Sequence, residues 1–139
     1  RRGMYTFFKR TSPHPNLITF DCPDSNVTCV KRNISNTPIA ALATLNNSVF
    51  TDAAKAMAKR LIKERNSNTE RIAMGFQLCT ARKPSTKEVA AFLALLKKAK
   101  LYYGENETEA KAFNGDAEAS AWATLTRIFL NLDEFITRE

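Results

Sequence analysis

From residue 37 onward the chain repeats one pattern: a capping residue, apolar residues three and four apart, then a stop. That spacing turns an apolar stripe onto one side of an α-helix and nowhere else. Thr37 and Pro38 open the series, since a threonine oxygen caps free amides and proline at the first helical position loses no hydrogen bond. Ile39, Leu42 and Leu45 form the first predicted stripe, and Asn46-Asn47-Ser48 ends that helix and caps the next. The second predicted helix runs from Val49 to Arg65, with Val49, Phe50, Ala53, Ala54, Met57 and Leu61 inward. Asp52, Lys55, Lys59, Lys63 and Glu64 take its other face.

Two Ser-x-x-Glu capping boxes follow, at Ser67/Glu70 and Ser85/Glu88. The first opens a helix through Ile72, Phe76 and Cys79 that Pro84 ends. The second opens one with Val89, Phe92, Leu93, Leu96 and Leu101 inward. A shorter helix is expected over residues 107–113. The turn Asn114-Gly115-Asp116 then starts a last one carrying Trp122, Leu125, Phe129 and Leu132. The fold class is mainly α: a small bundle of five to six helices over residues 37–139.

Residues 1–36 differ in kind. Pro13, Pro15 and Pro23 fall here, so the segment reads as an extended, loop-rich arm docked on the helices. Residues 4–8 suit a short strand or an extended segment, and residues 27–31 could form a second short strand. No apolar run approaches the roughly 18 residues of a membrane helix, and a chain opening on Arg1-Arg2 without Met reads as a piece of a longer protein.

The net charge of +7 is uneven: residues 1–36 carry +4, 37–83 carry +5 and 84–139 carry −2. A basic front suits a polyanion such as nucleic acid. Against that partner, the lysines of residues 49–65 alternate with alanines as on a solvated helix face.

His14, Asp21, Cys22 and Asp24 are the one group of ligand-type side chains, which makes His14, Asp21 and Asp24 the metal candidates. The structural alternative has Asp24 closing a turn after Pro23 and Asp21 pairing with Arg10 or Arg32. No catalytic set stands out: His14 is the only histidine, Gly-x-Ser-x-Gly is absent, and adjacent Asp133 and Glu134 do not face one another on a helix. Cys22 and Cys29 are a disulfide candidate in an oxidising compartment, while Cys79 reads as a buried apolar residue. Asn36 reads as a cap, Asn131 as an amide needing a partner within a helical stripe, and Trp122 as core. Phe7, Phe8, Phe20 and Trp122 could offer stacking faces, but their spacing suits packing better.

Several strings carry a resemblance in one order: residues 1–11 (RRGMYTFFKRT), 20–24 (FDCPD), 36–42 (NTPIAAL), 45–47 (LNN) and 130–135 (LNLDEF). Together they resemble the C-terminal portion of a planctomycete-specific conserved domain found in large exported proteins. Those proteins carry a cytochrome c-like N-terminal region and a second conserved domain between. The resemblance implies an exported, cell-envelope location, with any haem c in the upstream region and no cofactor in this portion. It implies upstream domains of the same protein, and other envelope proteins, as partners. It supplies no catalytic residues, and Cys22 departs from a position where a small residue is expected. The functional expectation is a non-catalytic structural or interaction domain. Two alternatives stand beside it: an enzyme or metal site completed by an upstream domain, and a nucleic-acid-binding helical domain.

Overall fold

The computed structural model describes residues 5–9, 11–31 and 35–137. Eight helices and no strand occur among them. They are α1 (Pro15–Thr19), α2 (Pro38–Asn46), α3 (Ser48–Glu64), α4 (Asn68–Thr80), α5 (Thr86–Glu105), α6 (Glu107–Asn114), α7 (Ala117–Phe129) and α8 (Asp133–Ile136). The six longer helices, α2 to α7, form the expected bundle. Among the described residues, 5–8 and 27–31 form no strand.

The start signals act as read. Thr37 accepts the Ala40 amide at 3.2 Å, Asn47 accepts that of Val49 at 2.9 Å, and Asp116 that of Ala119 at 2.7 Å. At Ser85 the box is reciprocal, with the serine amide on Glu88 at 2.7 Å and the Glu88 amide on the serine hydroxyl at 3.3 Å. The last helix is shorter than its stripe implied. It ends at Phe129, and Leu132 caps the separate α8.

Helix α7 is the spine, touching α2, α3, α4, α5 and α6. Its residues Ser120–Ala123, Leu125, Thr126 and Phe129 are all buried. Small residues make the close approach to α3 possible. Ala54 and Ala58 are wholly buried on α3, and the Thr126 hydroxyl reaches the Ala54 carbonyl at 2.8 Å. On the other side an aromatic chain fills the core: Phe92 packs edge-on against Phe129 (4.8 Å between centroids) and Phe76 (6.0 Å).

Three predicted faces are corrected. Ile39 and Leu42 are exposed, and Ala40 and Thr44 face inward instead. On α3, Ala54 and Leu61 are buried as read and Ala58 joins them, while Val49 and Ala53 are exposed. Leu101, placed in the core of α5, is exposed.

Candidate functional site

The candidate site is the loop between α1 and α2. His14 sets its start: Nδ1 accepts the Asn16 amide at 3.2 Å, capping the short α1 that Pro15 opens. After Phe20 the chain turns through Asp21 at φ +53°, a conformation that aspartate tolerates better than most residues. Asp21 Oδ2 then accepts both the amide and the hydroxyl of Ser35, at 2.8 and 2.7 Å. Asp24 closes its own turn, Oδ1 accepting the Asn26 amide at 3.0 Å and Asn26 Nδ2 at 2.8 Å. Between these two clamps lies a pocket of about 300 Å³ lined by residues that include Asp21, Cys22, Asp24, Cys29 and Lys31.

Two anchors fix the loop to the bundle. The Phe20 ring meets Phe50 of α3 at 5.6 Å. Asn36 Nδ2 donates to Asp133 Oδ1 at 2.6 Å, tying the entry to α2 to the N-terminus of α8. The sequence reading treated Asn36 as a local cap and did not foresee this long-range role.

The structure brings Asp21 and Asp24 to one pocket, and it gives the Asp21 carboxylate a serine partner. Arg10 and Arg32 lie outside the described residues. His14 is exposed and occupied as a cap, and among the described residues no three His, Cys, Asp or Glu side chains converge as a metal would need. Cys22 and Cys29 are free, exposed thiols, and their sulfurs donate to the carbonyls of Pro23 (3.7 Å) and Lys31 (3.4 Å). Cys79 is buried, and burial pushes its thiol up to about 11.

Asn131 finds its partner in α2 rather than in the front loop: the Thr44 hydroxyl donates to its Oδ1. Arg127 donates to the Leu45 carbonyl, so the α7–α8 junction grips α2 twice. Trp122 is wholly buried under the Arg71 guanidinium, 5.6 Å from the ring centroid. Phe7 is exposed and Phe20 sits on Phe50, so the four aromatics form no common stacking surface.

A second polar centre escaped the sequence reading. Arg82, just past α4, donates to Glu88 of α5 (2.7 and 3.1 Å) and Glu134 of α8 (2.6 and 2.8 Å). Its guanidinium lies 4.7 Å from the Phe76 ring centroid. The Arg82 hydrogen bond, with help from Ser85, holds Glu88 down at about 2, and the same arginine lowers Glu134. Nothing in the local pattern announces this hub, because Glu134 is 52 residues away.

The fold and loop define a helical domain. Residues 1–96 match the model of the PSD1 family, described as a protein of unknown function (DUF1553), and the chain belongs to that family. No curated protein and no solved structure matches it. The match stops within α5, so residues 97–139, including the LNLDEF string, lie beyond it.

Proposed function

We propose that this chain is a non-catalytic structural and interaction domain, the closing portion of an exported, cytochrome-linked planctomycete protein. Its docking surface is formed by the described residues between Tyr5 and Val49. The carrying observation is where the apolar exposure sits. Of thirteen exposed large hydrophobic residues among those described, nine fall in this stretch, from Tyr5 and Phe7 through Ile39, Leu42 and Val49. Scattered single residues of this kind are ordinary, but a concentration on one part of a fold marks an interaction surface. The outward turn of Ile39 and Leu42 on a well-capped helix makes the same point, because α2 buries only Ala40 and Thr44 in this chain. Export and the cytochrome link rest on the resemblance carried by the five strings.

The loop residues support the non-catalytic reading. Asp21, Asp24 and His14 each have a local structural task, on Ser35, Asn26 and Asn16. The basic side of α3 does not read as a polyanion track: Arg60 pairs with Glu64, and Lys59 and Lys63 share a groove with Asp116 and Glu118.

Hydrogen exchange tests the proposal on this chain alone and on a longer protein that includes its natural upstream part. Amides of residues 38–49 should exchange more slowly in the longer protein, and Ile39→Ser with Leu42→Ser and Val49→Ser should abolish the difference. Equal exchange in both settings would overturn the docking role.

A further inference from the structure

We propose that Cys22 and Cys29 are a reversible dithiol pair, a modification site at which a disulfide of the glutathione class closes the loop they bracket. Three observations converge on it. The turn at Ser25-Asn26, fixed by Asp24, lies midway between the two cysteines and bends the chain between them. Just outside the pair, Asp21 grips the Ser35 amide and hydroxyl and draws the base of the loop together. Both cysteines line the same open pocket, together with Asp21 and Asp24.

The thiols are also accessible and loosely held. Both are exposed, and each sulfur makes only a weak bond to a nearby carbonyl, which a rotation about χ1 releases. Cys79 offers no competition, being buried with its thiol held protonated.

The reaction balances with one oxidised glutathione. A thiolate of the pair attacks its disulfide, forming a mixed disulfide and releasing one glutathione thiolate. The second cysteine, as thiolate, attacks the protein-side sulfur and expels the other. Two protein thiols are oxidised to one disulfide, one glutathione disulfide is reduced to two thiols, and the two cysteine protons pass to the departing thiolates. The product pins the pocket wall between Pro23 and Thr28.

The test equilibrates the full chain in glutathione buffers of graded ratio, quenches with acid, alkylates and digests with trypsin. Both cysteines then lie on one peptide, residues 11–31, which loses two hydrogens when bridged. The synthetic 11–31 peptide, treated identically, gives the preference of the unfolded loop. The folded chain should favour the bridge about tenfold more than the peptide, equivalent to a potential about 30 mV lower. Asp21→Asn, which loosens the clamp while leaving the helical circular dichroism unchanged, should move the chain most of the way back to the peptide value. Equal preference in chain and peptide, glutathione retained on each cysteine, or a bridge to Cys79 would each overturn the proposal. So would an Asp21→Asn chain that keeps the full preference.

Discussion

Gly75 sits in the middle of α4, where alanine would ordinarily strengthen a helix by up to about 1 kcal/mol. Here a Cβ would lie 2.7 Å from Phe129 Cε2 and 3.0 Å from Leu61 Cδ1. The phenyl ring is wholly buried and itself pinned by Phe92, so it has no room to retreat. Gly75→Ala should therefore destabilise the chain, with overpacking of about 1–3 kcal/mol exceeding the propensity gain, as read by urea unfolding. A stabilised variant would show the α4–α7 contact to be looser than described. Trp122 makes the complementary case. Its Nε1 has no acceptor among the described residues, so its contribution is packing rather than hydrogen bonding. Trp122→Ala should cost about 3–5 kcal/mol, and Trp122→Phe clearly less, since only volume is lost. Similar losses for the two variants would overturn that division.

At the scale of elements, α8 is only four residues long and depends on others for its position. Arg82 and Asn36 supply it, through Glu134 and Asp133. Glu88 and Glu134 are both held below the ordinary glutamate value of about 4.3 by Arg82. A carboxylate depressed by folding contributes stability that is complete above its unfolded pKa and lost as pH falls through its folded one. The clamp should accordingly be intact at neutral pH and should open as pH drops from about 4 towards about 2, where Glu88 titrates. Amide exchange in residues 133–137 should accelerate over that window, and Arg82→Gln should flatten the response. An unchanged profile in that variant would remove the arginine from the account. The group is exposed, so added salt should weaken it as well. None of this was legible beforehand, because a clamp across three elements leaves no local spacing. What was legible were the helix starts at Thr37, Ser67, Ser85 and Asp116, where capping depends on neighbours a few residues away. The facing of α2 was not. A helix of nearly all small and apolar residues has no polar side to mark solvent, and close packing chose Ala40 and Thr44 over the larger Ile39 and Leu42. At the candidate site, the Asp24 turn was readable from Pro23-Asp24, whereas the Asp21–Ser35 clamp spans 14 residues and has no local spacing to announce it.

Across the whole molecule, the family match and the folding unit do not share a boundary. The match ends at residue 96, yet Trp122, Leu125 and Phe129 of α7 complete the core that Leu61, Ile72, Phe76 and Phe92 begin. Removing residues 97–139 would strip the second half of α5 and all of α6, α7 and α8, leaving the apolar sides of α3, α4 and α5 facing water. Isolated helices of these lengths are marginal in water, because most of their stability comes from tertiary packing. The chain of residues 1–96 should consequently show reduced helical circular dichroism and a shallow, non-cooperative response to urea, where the full chain unfolds in one step. A cooperative transition in the shorter chain, with a midpoint near that of the full one, would mean that α2 to α5 hold a core of their own. The packing of Phe92 on Phe129 argues for the first outcome, since the Phe76–Phe92 pair that the shorter chain keeps would lose the ring beside it.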